Sequence, residues 1–237
     1  MTVPITSARA FAAANAAMVR GVDGSSTIHV LLADCAELLG ADTAGVLVRS
    51  GEHGLEMLAA TSHRAIELEL YQSQLHSGPC VTAIDEGESV SASGPDDVVA
   101  RWPDFGRAMD EAGVRSVHAV PMRWHDRVLG GVNLFWSRER VLSRDEAELA
   151  RSFADICTLA LMQARVENEP MVIAERVRAA LAGRVVIERA KGVLAETEDV
   201  EMDEAFTLLV QRSREQGTPL SALAQQVLHD IVADRQR

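Results

Sequence analysis

The chain is 237 residues long, 47% hydrophobic and 24% charged, with a formal net charge of −12. That length holds one large domain or two small ones, that apolar content excludes global disorder, and that charge excludes a uniformly basic nucleic-acid coat, so any contact with nucleic acid must be local. Three widely spaced cysteines exclude a disulfide framework or a CxxC zinc knuckle, and no apolar run approaches the ~18–20 residues of a membrane span. With no signal peptide either, the expectation is a soluble, cytoplasmic protein.

In chain order, residues 7–20 are Ala-rich and read as a helix ended by Gly21. Ser25 or Ser26 can cap a second helix whose Ile28, Leu31, Leu32, Cys35 and Leu39 follow the helical period up to Gly40. Ala44–Val48 and Leu55–Ala60 flank Gly51-Glu52-His53-Gly54, a hairpin signature. Residues 64–75 are helical, and Gly78-Pro79 starts a short helix over 79–86. The Ser/Gly/Pro/Asp-rich stretch 91–104 reads as a loop, followed by a helix over 104–112. Arg115–Trp124 and Val128–Trp136 form a second hairpin around His125-Asp126, and Ser143 with Glu146 makes a capping box for a long helix running toward Glu167. Hairpins flanked by helices give an α+β domain with an antiparallel sheet rather than a doubly wound parallel one.

Asn168-Glu169-Pro170 marks a boundary, and everything after it is helical: 171–196, 202–215, and a third helix from Thr218-Pro219. The expected domains are 1–165 and 166–237. The first of these three helices carries two apolar stripes. Ile173, Val177, Leu181 and Val185 line one side early; Val186, Ala190, Val193 and Leu194 line roughly the opposite side later. The second stripe packs on the other two helices; the first is expected to meet a partner chain as a short coiled coil, making a homodimer. Arg184 and Lys191, seven residues apart, fall off the second stripe, on the outer surface of the three-helix bundle. Lys191 is the single lysine beside 22 arginines. By its pattern alone this face reads rather as a solvated surface with Glu188 as ion-pair partner.

The string Arg184-Val-Val-Ile187-Glu-Arg-Ala190-Lys191-Gly192-Val-Leu194, then Asp203-Glu204-Ala205-Phe206-Thr-Leu208-Leu209 and Thr218-Pro-Leu220-Ser-Ala-Leu223-Ala224, resembles the ANTAR family of RNA-binding transcription antiterminators over residues 171–233. Two departures stand out: Arg189 occupies a position where glutamine is common, and Ala195-Glu-Thr-Glu-Asp makes an acidic first turn. The N-terminal part resembles a GAF sensor domain over residues 5–165, of the type found before ANTAR in actinobacteria. The resemblance rests on Ala44-Gly45, Gly78-Pro79-Cys80, Arg101-Trp102-Pro103-Asp-Phe105, Val120-Pro121-Met122 and Gly130-Gly131-Val-Asn133.

The ANTAR resemblance implies binding of tandem RNA stem-loops by a dimer, one domain per loop, so that an overlapping terminator hairpin cannot form. Hairpin loops offer unstacked bases and close phosphates, so a small cationic patch suffices. The residues it implies are Arg184, Arg189, Lys191 and Gly192 on the first helix, Arg212 and Arg214 on the second, and Thr218 and Ser221 at the N-terminus of the third, whose free N–H groups suit a phosphate. The GAF resemblance implies an unidentified small-molecule ligand and names no cofactor; Cys80, Trp102, Met122 and Trp124 are pocket candidates that read rather as buried core side chains.

Other chemistry finds less purchase. Cys80 near a helix N-terminus is a candidate reactive thiol, and a redox or small-molecule sensor working through protein partners, without RNA, is the alternative reading. The seven histidines show no metal-ligand spacing, no Ser/His/Asp elbow is present, and Gly130-Gly131 marks close backbone approach rather than a phosphate loop. No catalytic residue is assigned.

Overall fold

The computed structural model describes residues 5–50, 54–162 and 170–234. A five-stranded antiparallel sheet in the order β2-β1-β5-β4-β3 forms the centre of the first domain. Its strands are β1 (Thr43–Ser50), β2 (Gly54–Ala60), β3 (Val90–Ser93), β4 (Ser116–Trp124) and β5 (Arg127–Trp136). Strand alternation sends side chains to two cores. Ala44, Val46, Val120, Met122, Val132 and Leu134 face α1 (Ser7–Val19), α2 (Gly24–Leu39) and α7 (Arg144–Leu161). Val117, Ala119 and Phe135 face the other way, toward α3 (His63–Leu75), α4 (Pro79–Glu86), α5 (Pro95–Arg101) and α6 (Pro103–Glu111). The α+β class with an antiparallel sheet is therefore observed.

Local signals set most element ends. The Ser143–Glu146 capping box starts α7, and Pro79 sits in the first turn of α4. Two boundaries differ from the sequence reading. The N-cap of α2 is Asp23, not Ser25 or Ser26; its carboxylate accepts the Ser26 N–H at 2.9 Å. The stretch 91–104 is not a loop. It holds the edge strand β3, which pairs with β4, and α5, which begins at Pro95. The 51–53 turn and residues 163–169, where the long helix was expected to continue, lie outside the described residues.

The second domain is a three-helix bundle of α8 (Pro170–Glu198), α9 (Met202–Gln216) and α10 (Leu220–Asp234). Its core joins Ile187, Ala190 and Leu194 with Phe206, Leu209, Leu220 and Leu223. The early stripe of α8 does not wait for a partner chain. Val177 and Ala180 are buried in the first domain's α1/α2/α7 core, with Leu181 packed against it, and Val185 is left exposed. Of the stripe read from periodicity, Val177 and Leu181 meet the chain's own first domain, and the Ile173 side chain lies outside the described residues.

One polar cluster is sealed inside that domain. Glu69 of α3 is fully buried; its Oε1 accepts from Asn133 Nδ2 at 2.6 Å and its Oε2 from Gln72 Nε2 at 3.2 Å. Gly45 makes room for it: a Cβ there would meet Glu69 Oε1 at 2.3 Å. Burial drives the Glu69 carboxyl up from 4.5 to about 8, against the opposing Asn133 hydrogen bond. A protonated Glu69 needs an acceptor, and Asn133 Oδ1 has no partner among the described residues. Rotating the Asn133 amide supplies one.

Because the folded pKa lies above the unfolded one, this group favours folding fully below pH 4.5 and loses that contribution as pH rises to about 8. Glu69→Gln, which keeps the shape and cannot ionise, is expected to flatten the decline. Urea unfolding from pH 5 to 8.5 should show the wild type losing on the order of 3 kcal/mol more than the variant over that range. Parallel pH profiles would remove the buried neutral carboxyl.

Candidate nucleic-acid interface

The interface residues are set by helical spacing on α8. Arg184, Lys191 and Glu188 fall within about two turns on one side, and α2 of the first domain lies against that side. Gly183 allows the close approach: a Cβ there would meet Ser25 Cβ at 2.9 Å. Val30 and Ala33 of α2 pack against the bundle core, while Ile28, Leu31 and Leu32 of the same helix face the sheet core.

Lys191 is not on an outer surface. It is 1% exposed, and its Nζ donates to Glu188 Oε2 at 3.1 Å and lies 5.2 Å from the centre of the Phe206 ring. Both of these partners belong to the bundle itself, and the Lys191 charge is also felt by the buried His29 of α2. Arg184 is half-buried and its Nη1 donates to the Met57 carbonyl of β2 at 2.6 Å. Partial burial lowers the Arg184 pKa, with Glu188 and Glu56 opposing.

The other expected contacts divide sharply. Arg214 pairs with Asp34 of α2, which is 3% exposed at its side chain. Burial raises the Asp34 pKa despite that guanidinium. At the start of α10, the Ser221 N–H donates to Ser26 Oγ at 2.7 Å and the Ser221 hydroxyl donates to Asp23 Oδ2. The N–H expected to be free for a phosphate is thus capped by the first domain. Asp203 of α9 accepts the His63 N–H of α3 at 2.9 Å. By contrast, Arg189 and Gly192 are exposed, and nothing lies within 4 Å of the Gly192 Cβ direction. Arg212 pairs with Glu198 at 2.8 Å, and Thr218 turns its carbonyl to the Ser213 hydroxyl at 2.7 Å.

His29 of α2 sits in the middle of the contact, fully buried, 6.1 Å from Phe206 between ring centres. Its Nδ1 is 2.8 Å from the Ser25 carbonyl; its Nε2, like Ser25 Oγ, has no partner among the described residues. Each such buried orphan costs about 1–3 kcal/mol. Asp23, His29 and Asp34 were not singled out from the sequence, and Ser26 only as a candidate helix cap. The available signal was Asp34, an acid between apolar residues in the second half of the helix, three turns from Asp23 on nearly the same face.

The pocket candidates do not converge. Cys80 packs with Leu47, Met57 and Ile84, and Trp102 with Val98 and Phe105, both on the α3–α6 face. Met122 and Trp124 belong to the opposite face. The sheet separates them, because β4 alternates. Cys80 is fully buried, and burial first, then the Glu69 charge, raise its thiol well above the ordinary value. The helix N-terminus therefore does not make it a thiolate. Close backbone approach at Gly131 is observed: a Cβ there would meet Cys80 Sγ at 2.8 Å.

With this geometry in view, the comparisons decide the family. Residues 23–161 match the GAF domain model. The chain belongs to the GAF domain family. Residues 175–228 match the ANTAR domain model, so a GAF domain is followed by an ANTAR domain. These are modules of signal sensing and of RNA-binding antitermination control. Among solved structures, the GAF domain of an Acinetobacter phosphoenolpyruvate-protein phosphotransferase is similar at 10% identity and a TM-score of 0.51, over 76% of this chain and 98% of that one. The phycoerythrobilin-bound GAF domain of a cyanobacterial phytochrome is similar at 15% identity and a TM-score of 0.50, over 68% and 97%. Both likenesses establish the fold alone. Among curated proteins none matches the sequence. Among the described residues no helix is long and apolar enough to cross a membrane, and no cluster of His, Cys, Asp and Glu is arranged to hold a metal.

Burial lowers the His29 pKa from 6.5 to about 4, against the hydrogen bond to Ser25 and the Glu188 charge. Lys191 and Arg184, also facing it from α8, push the same way as burial. Neutral His29 therefore supports the docked fold above pH 6.5, and that support is lost as pH falls toward 4. His29→Phe is expected to abolish this part of the acid sensitivity. Between pH 6.5 and 4, wild type should lose on the order of 3 kcal/mol more unfolding free energy than the variant. Equal losses would place the His29 ring in solvent.

Proposed function

We propose that this chain is a transcription antitermination regulator of the actinobacterial GAF–ANTAR type. Its ANTAR domain binds tandem RNA stem-loops as a homodimer in the cytoplasm, under the control of an unidentified small molecule in its GAF domain, with residues 1–165 as sensor and 166–237 as reader. The observation that carries this reading is the ANTAR match over residues 175–228, which spans every residue proposed here for RNA contact. The set is Arg184, Arg189, Lys191, Gly192, Arg212, Arg214, Thr218 and Ser221. No base-stacking aromatic supplements it, since Phe206 is in the bundle core, so recognition falls to cations and backbone.

Physical chemistry favours a loop over a duplex as target. The chain is acidic overall, so attraction comes from a few cations presented together, and each phosphate neutralised releases counterions. Arg189 is the cleanest probe because it is exposed and has no ion pair among the described residues. Binding of an RNA with two consecutive hairpins should weaken tenfold or more in Arg189→Ala and in Lys191→Ala, with unfolding midpoints showing both variants folded. The slope of log affinity against log salt should become shallower by about 0.7–0.9 for each phosphate that a variant no longer neutralises. Equal competition by an unstructured RNA of the same composition would overturn the stem-loop reading.

A further inference from the structure

We infer that helix α2 of the sensor occupies the RNA-reading face as a phosphate mimic, so that sensor docking and RNA binding exclude each other. The inference rests on the RNA reading just given and adds the means of its regulation. Three of the eight proposed RNA contacts are engaged by the first domain, Arg184, Arg214 and Ser221, and a fourth, Lys191, is buried near His29 of α2.

The chemistry of the covering groups is what points to mimicry. Arg214 is met by the Asp34 carboxylate. The N-terminus of α10, where an anion is best placed, receives the Asp23 carboxylate through Ser221, and the Ser26 hydroxyl through the Ser221 N–H. Arg184 is met by a carbonyl oxygen. Every partner that the first domain offers these donors is an oxygen acceptor, as a phosphodiester would be. Asp23 and Asp34 lie eleven residues apart on α2, about 16 Å along the axis, and within about 20° of one face. Two anionic groups at that spacing resemble phosphates a few nucleotides apart.

Lys191 is buried on the side of α8 that faces His29 of α2, and on this inference parting of the two helices uncovers it. That uncovering provides a readout that does not involve RNA, because Lys191 is the chain's single lysine. Asp23→Asn/Asp34→Asn removes both negative charges while keeping side-chain shape, and asparagine serves as well as aspartate at the α2 N-cap. Gly183→Leu is the second variant. It drives a side chain against Ser25, changes no charge, and raises the local helix propensity of α8.

The experiment is acylation of Lys191 by an N-hydroxysuccinimide ester at pH 8 in the full-length protein, followed by peptide mass spectrometry, with and without the two-hairpin RNA. Without RNA, Lys191 in both variants is expected to react at least fivefold faster than in wild type. The variants are expected to bind the RNA about tenfold more tightly, and RNA is expected to protect Lys191 again. Unchanged acylation in both variants would overturn the docking. Faster acylation with RNA affinity present but unaltered would overturn the mimicry and leave RNA binding standing. Faster acylation with no RNA binding by any form would uphold the docked contact, overturn its role as a competitor and, separately, the RNA reading itself.

Discussion

Helix α2 is asked to satisfy two cores at once. Its Ile28, Leu31, Leu32, Cys35 and Leu39 are buried against the sheet and α7, while Val30 and Ala33 press on the three-helix bundle. A helix that is apolar nearly all round has to be covered on both sides. The bundle is therefore not tethered loosely to the sensor but completes the covering of one of its helices. The early part of α8 reinforces this by burying Val177 and Ala180 in the sensor's core. Where α8 lies, and so what its Lys191 can touch, follows from that shared packing.

The polar groups at the contact make sense only against this apolar frame. An ammonium 1% exposed with a single carboxylate neighbour is poorly compensated, and the Phe206 ring supplies only a modest cation–π contribution. A guanidinium at position 191 would be larger and planar, with five donors to satisfy; a compact ammonium on a flexible stem fits beside Glu188 and the ring with fewer. That is a packing reason for the chain's only lysine within the docked state, alongside whatever the lysine does once exposed.

How much of this was legible depended on whether the signal was local. Ser143 with Glu146, and Gly78-Pro79, carry their own stop and start chemistry, and the helices form where those residues say. The stretch 91–104 lacks such a signal. Its strand is four residues long and exists because β4 offers a ladder, so Ser/Gly/Pro composition misled. The apolar stripe on early α8 was legible as a buried face but not as to its partner, since periodicity is blind to what lies across the contact. The same holds for Lys191, whose charge reaches His29 some 160 residues earlier. The cluster of Glu69, Gln72 and Asn133 was invisible because Asn133 of β5 meets the other two, on α3, only in the fold, and each is an ordinary polar residue until the fold encloses it.

The docked arrangement is held by some groups at the contact and opposed by others. On one side stand the hydrogen bonds to Ser221 and Arg184, the Arg214–Asp34 pair and the apolar contact of Val30 and Ala33, each hydrogen bond contributing about 0.5–1.5 kcal/mol net. On the other stand a buried lysine, a histidine kept neutral by burial, and the orphaned His29 Nε2 and Ser25 Oγ, all of which regain water when the helices part. A ligand that binds the sensor better in one arrangement than the other, by tenfold to a thousandfold, supplies about 1.4–4 kcal/mol of bias and moves the equilibrium by the same factor. The sensor elements that touch the bundle include β2 through the Met57 carbonyl and α3 through the His63 N–H, and α3 also carries Glu69. A small displacement of α3 against the sheet therefore reaches the interface without passing through the residues that join α7 to α8.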